Sequence, residues 1–147
     1  MKLILLMLLL NPLSVFSDDD QISRGDIELQ ISGLRNDNGI LRVLLFQSSD
    51  GFPSDHTKSY VLKNVSIIKD SVSVKIPNVP YNDYAVTVLH DENSNGELDT
   101  NWLGLPKEGV GVSNNAKSLL GPPKYKDAKF NLNSKKLILN IEMTYFF

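Results

Sequence analysis

The chain has 147 residues, a formal net charge of −2, 41% hydrophobic and 22% charged residues, no cysteine and two histidines. One domain with a real core fits that length and composition, and a disordered tail does not. The absence of cysteine excludes zinc ribbons, thiol redox sites, cysteine nucleophiles and disulfide scaffolds, two histidines exclude a three-histidine metal site, and the mildly acidic balance argues against a nucleic-acid-binding protein.

Lys2 is followed by Leu3 to Leu10 without a polar interruption, then Asn11-Pro12, Ser14 to Ser17 and Asp18-Asp19-Asp20. A positive start, a short apolar run and a small residue before an acidic stretch predict a secretory signal peptide over residues 1–17, cleaved near Ser17. Eight apolar residues are too few to cross a bilayer, which takes ~20. The expectation is therefore an exported protein, periplasmic or secreted, that is not an integral membrane protein. Residues 18–147 form its single domain.

Period-two alternation then dominates, the mark of strands with one buried face. Ile27, Leu29 and Ile31 alternate with Glu28 and Gln30, and Asn36 to Gly39 is a turn signal. Leu41 to Phe46 is apolar on both faces, as in a central strand. Ser48 to Ser59 is a polar connection. Strands are expected next from Tyr60 towards Ile68, around Val72, Val74 and Ile76, and around Tyr84, Val86 and Val88. An insert from His90 to about Lys126 is rich in Gly, Asn and Pro. Ala128, Phe130 and Leu132 alternate again, and Leu137, Leu139, Ile141, Met143 and Tyr145 share one face. These runs predict an all-β fold, an antiparallel β-sandwich of about seven strands. A loop insert of that length in a compact domain points to function.

Within the insert, Asp91, Asn93 and Asn95 recur at alternate positions and Gly96 follows. This is the first half of a calcium loop: calcium takes six to eight oxygens, alternate side chains in a tight loop converge on one point, and glycine allows the sharp turn. The Glu97 carbonyl can serve as a further ligand, and Asp99 stands where a ligand often acts through water. The twelfth position is Trp102 rather than glutamate, and a strand precedes the loop, so this is no EF-hand. An ion would need further ligands, with Glu108 a candidate, and would bind weakly. The competing reading is an Asx-turn network in which these side chains bond their own backbone.

His90-Asp91-Glu92-Asn93-Ser94-Asn95-Gly96, with Leu98-Asp99, and Gly104-Leu105-Pro106 through Glu108-Gly109, Gly111 and Ser113-Asn114-Asn115-Ala116, resembles the bacterial family called domain of unknown function 2141. Tyr84-Ala85-Val86, Gly121-Pro122-Pro123, Asp127-Ala128 and Gly39 to Phe46 fit the same resemblance, which spans roughly Glu28 to Tyr145. Asn82-Asp83 replaces a glycine usual before the Tyr-Ala pair. The resemblance implies an exported transthyretin-like or immunoglobulin-like sandwich, without a defined activity, whose shared feature is the insert.

Several side chains are candidates for a functional surface. His90 with Asp91, Asp99, Glu108 or Ser113 is the material for a small hydrolase, although a lone histidine beside an acidic loop is more often a structural hydrogen-bonder. No G-x-S-x-G elbow is present. Trp102 and Tyr125 are able to stack on a sugar, while the favoured role for Trp102 is a plug at the end of the sandwich. Asn114 and Asn115 complete the set. The leading expectation is a non-enzymatic exported module whose loop presents a surface to a protein or carbohydrate ligand. The alternatives are the hydrolase and a structural envelope module.

Overall fold

The computed structural model describes residues 23–68, 71–118 and 121–147. The leader expected over residues 1–17 and its cleavage position lie outside the described residues. Eight strands occur in the order β1 (Arg24–Ser32), β2 (Ile40–Phe46), β3 (Val61–Ser66), β4 (Val72–Pro80), β5 (Asn82–Asp91), β6 (Gly109–Val112), β7 (Phe130–Leu132) and β8 (Lys136–Glu142). One sheet runs β4-β1-β8. The other runs β3-β2-β5-β6, with β7 also paired to β5. The fold is thus an all-β sandwich, as the alternation predicts. Among the described residues no helix is long and apolar enough to cross a membrane.

The inner faces of the two sheets meet in one core. Ile27, Leu29 and Ile31 of β1 pack there with Leu41, Val43 and Leu45 of β2, and with Tyr84, Val86 and Val88 of β5. β1 buries only its odd positions, and its alternate residues face outward, as period two requires. Ile141 and Met143 are buried, and Leu137, Leu139 and Tyr145 pack against the same core.

The structure departs from the sequence expectation in four places. β1 and β8 pair in parallel, Ile27 opposite Leu137 and Ile31 opposite Ile141, which strand patterning cannot distinguish from antiparallel pairing. β6 lies inside the insert, where Gly109-Val110-Gly111-Val112 reads as loop. Its glycines are a packing requirement: a Cβ at Gly111 would lie 2.7 Å from Ile141 and 2.9 Å from the Met143 sulfur. Ala128 does not continue β7 but ends a short helix, α1 (Tyr125–Ala128). Finally, β5 is buried on both faces from Tyr84 onward. Its outer face and that of β2, with Leu44, Phe46 and Leu89, are covered by Phe52, Leu98, Val110 and Tyr125. The polar connection after β2 and the insert after β5 thus fold back over one sheet and form a second, smaller apolar layer.

Candidate functional site

The register between β2 and β5 sets the base of the insert. Leu41 faces His90 and Ile40 faces Asp91, so the motif begins at the end of the central strand pair. Asp91 is buried, and both its oxygens accept backbone N–H groups of the loop it opens: Oδ1 from Asn95 at 3.0 Å and Oδ2 from Gly96 at 2.8 Å. Gly96 has a φ of 87°, a region side-chain-bearing residues rarely enter. Asn93 Oδ1 accepts from the Asn95 N–H at 3.1 Å, and Asn95 Oδ1 from the Glu97 N–H at 2.9 Å. These are successive Asx turns. The Asn93 Nδ2 donates to Asp99 Oδ2 at 2.6 Å and Asn95 Nδ2 to the same oxygen at 3.3 Å, so the amide NH2 groups of two side chains meet on Asp99.

Glu108 closes the loop from the other side. It is 5% exposed. Its Oε1 accepts the Glu92 N–H at 2.9 Å and its Oε2 the Asp99 N–H at 3.1 Å. One carboxylate therefore holds both ends of the segment 92–99. Among the described residues no group of three or more histidine, aspartate or glutamate side chains converges as metal ligands do. Glu97 is exposed and lines a cavity together with Arg42 of β2.

His90 is fully buried on the face of Val86 and Val88. Its Nδ1 lies 2.7 Å from the Tyr145 hydroxyl and its Nε2 2.8 Å from the Asn38 carbonyl oxygen. Both ring nitrogens are engaged inside the protein, which argues against the hydrolase reading built on this histidine. Burial pushes the Tyr145 hydroxyl above its ordinary pKa. Beside it, Arg35 makes a two-pronged pair with Glu92, at 2.7 Å and 3.1 Å, while its guanidinium carbon lies 4.6 Å over the Tyr145 ring. Burial pushes the Glu92 carboxyl up, but the Arg35 bond and charge outweigh it and hold the group below its ordinary value. The same bond to Glu92 raises Arg35.

Ser113, Asn114 and Asn115 fasten the other end of the insert. The buried Ser113 hydroxyl accepts the Val86 N–H at 2.9 Å and donates to the Ala128 carbonyl at 2.6 Å. Asn114 and Asn115 adopt φ of 59° and 46°. The Asn114 amide donates to the Lys129 carbonyl at 2.9 Å, and Asn115 Oδ1 accepts the Glu142 N–H at 3.0 Å. None of the three forms a cluster with His90 or Glu108. They join β6 to α1 and to β8.

Trp102 is not a plug. It is 90% exposed, with Leu103 at 60% and Leu105 at 41% beside it. These residues sit on a tight tip closed by a Thr100–Pro106 bridge. Asn101 Oδ1 accepts the N–H groups of Leu103 and Leu105 at 2.9 and 3.0 Å, and the Asn101 N–H donates to the Leu105 carbonyl at 2.9 Å. The tip holds its own backbone and leaves its apolar side chains outside. Tyr125, the other aromatic candidate, packs edge-on against Phe52 at 5.8 Å instead.

Sequence reasoning passed over Arg42, which lies under this loop at 8% exposure. The signal was present: one cation inside the apolar run from Ile40 to Phe46. It also passed over the Arg35–Glu92–Tyr145 group, whose members are far apart in sequence.

Searches of curated proteins and of solved structures gave no match. Residues 29–139 match the family described as uncharacterized protein conserved in bacteria, DUF2141. The match runs from within β1 to within β8 and takes in the whole loop from Asp91 to Asp99 and the clamp at Glu108, and on that evidence the chain belongs to the DUF2141 family.

Proposed function

We propose that this protein is an exported, non-catalytic recognition module whose insert presents Trp102, Leu103 and Leu105 to an apolar pocket on a partner protein. The observation that carries the reading is the tip itself. Large apolar side chains are held outside on a backbone that meets its own hydrogen bonds, and this base is tied down by Glu108 and Asp91. A rigid tip loses little conformational freedom on binding, which favours affinity. A protein partner suits the tip better than a carbohydrate, because sugars require polar donors and acceptors around a stacked ring. Here the neighbours of Trp102 are leucines, and the Asn101 acceptor is used internally. The leader-like segment at residues 1–17 supports placement outside the cytoplasm.

Trp102 is the sole tryptophan, so its emission reports on the tip. Titration with an envelope protein fraction is expected to shift that emission to the blue. Protease treatment of the fraction, or Leu103→Asp in the module, is expected to abolish the shift. A shift caused by envelope glycans and not by protein, or none with either, refutes the reading. Export is checked by the mass of the periplasmic or secreted chain, expected to begin at or near Asp18.

Calcium is part of this proposal, as a weak ligand that stiffens the base of the tip. The spacing of Asp91, Asn93 and Asn95 before Gly96, with Asp99 close to both amides, supports it. An ion there would require the Asn93 and Asn95 amides to turn their oxygens from the Asn95 and Glu97 N–H groups towards Asp99, and would also draw on the Asp99 carboxylate and the Glu97 carbonyl. Asp91, with both oxygens on backbone N–H groups, would add charge rather than a free ligand. At ten times Kd, binding to the folded state adds ~1.4 kcal/mol and raises the melting temperature by a few degrees. Asp99→Ala is expected to remove that response. An unchanged melting temperature in about 10 mM calcium relative to chelator refutes the ion and leaves the tip reading standing.

A further inference from the structure

The outer face of β2 carries a buried cation whose Nε has no hydrogen-bond partner and whose nearest carboxylate is not in hydrogen-bond contact. The Arg42 side chain is 10% exposed, and its closest ion-pair partner among the described residues is Asp91, with Nη1 3.9 Å from Oδ2. That is too long for a hydrogen bond. Both Asp91 oxygens are already accepting loop N–H groups. The Arg42 Nε is buried without a hydrogen-bond partner. A buried charge without good partners is costly, and arginine offers five donors in a planar fork matched to a carboxylate.

Arg42 lines a cavity of about 300 Å³. Ser54 and His56, from the connection after β2, supply polar groups to its wall, and Leu89 and Leu98 supply apolar ones. The backbone is shaped around the guanidinium: a Cβ at Gly96 would lie 2.8 Å from Arg42 Nη1. From this geometry we infer that the cavity is a binding site for a small organic carboxylate, whose oxygens meet Arg42 and whose apolar part rests on Leu89 and Leu98.

The charges around the site select the class. Glu97 also lines the cavity, and Asp91 lies behind Arg42. Two carboxylates against one guanidinium oppose a doubly charged phosphate more than a singly charged carboxylate. The leucine walls fit a ligand with an apolar body and have no use for inorganic phosphate. Two sources share the chemistry: a free organic acid, and the carboxylate that ends a peptide with an apolar last residue. The site lies on the β2 side of the loop and does not depend on the Trp102 tip.

The test is an NMR titration of the ¹⁵N-labelled protein that follows the Gly96 amide and the Arg42 Nε–H. The probes are benzoate, inorganic phosphate, and a leucine-terminated tripeptide with a free or an amidated end. Benzoate or the free tripeptide is expected to move both signals saturably, with Kd of about 1–10 mM and at least about tenfold tighter than phosphate. Saturation by benzoate alone supports free acids as the ligand. Saturation by the free but not the amidated tripeptide supports chain ends. Arg42→Met is expected to abolish the response at Gly96. Glu97→Gln changes an exposed residue, leaves the fold intact and is expected to tighten binding about threefold or more. No saturable shift up to about 50 mM benzoate or tripeptide, phosphate binding as tight as carboxylate, or unchanged affinity in Glu97→Gln overturns the inference.

Discussion

Glu108→Ala should damage this protein more than its position in a loop suggests. The carboxylate is nearly buried and accepts two backbone N–H groups, Glu92 at 2.9 Å and Asp99 at 3.1 Å. A hydrogen bond to a charged acceptor contributes about 1.5–3 kcal/mol net, and loss of the acceptor leaves a partly buried donor unsatisfied. Two such bonds share one side chain and do not add fully, so the expected loss is ~3 kcal/mol. For a chain of this length that lowers the melting temperature by roughly 6–12 °C. Glu108→Gln keeps one acceptor and turns an NH2 group towards the other donor, so its expected cost is smaller, ~1.5 kcal/mol. The assays are thermal and urea unfolding at pH 7, with amide hydrogen exchange of Glu92 and Asp99. Both amides should exchange much faster in Glu108→Ala. A fall of less than about 2 °C, or unchanged exchange at both amides, refutes the clamp.

Tyr145→Phe removes the hydroxyl that meets His90 Nδ1 at 2.7 Å, and should cost ~1–2 kcal/mol in urea unfolding; a neutral outcome means the buried imidazole finds another partner. Because the folded Glu92 carboxyl is held below its ordinary 4.5, the Arg35–Glu92 pair contributes stability that is present above that pH and is lost as pH falls through the folded value. The stability gap between wild type and Glu92→Gln should therefore be open at pH 7 and shrink at pH 3, as paired urea melts would show; a gap that widens in acid contradicts the pairing. Trp102→Ala should leave stability within about 0.5 kcal/mol of wild type, since the side chain is 90% exposed; a loss of several kcal/mol would restore the plug.

The strand content was legible because period-two alternation has a direct physical cause. A strand with one wet face must bury every second residue, and Ile27, Leu29 and Ile31 do so. The Asx turns were legible for a similar reason, since Asp91, Asn93 and Asn95 bond backbone within a few residues of themselves. The loop's spacing alone allowed two outcomes, an ion held by side-chain oxygens or a network of turns. The bonds from Asn95 and Gly96 to Asp91 give the turn network material form, and the Asn93 amide closes it on Asp99. Its clamp was less legible. Glu108 stood out as a nearby carboxylate, but nothing local says that its two oxygens take the Glu92 and Asp99 N–H groups.

Alternation by itself determined that this chain forms a β-sandwich, and turn chemistry determined where the insert begins. Only the tertiary structure decided the rest. Parallel pairing of β1 with β8 and the placement of Gly109–Val112 as a strand depend on what packs across the sandwich. So does the fate of single side chains: His90 meets Tyr145 and Asn38 across long stretches of sequence, Trp102 stays outside because its tip bonds to itself, and Arg42 is covered because the insert and the connection after β2 fold over the same outer face. Local sequence records a residue's backbone preference and its polarity. Burial and partnership are set by distant segments, and those become neighbours only when the sheets close.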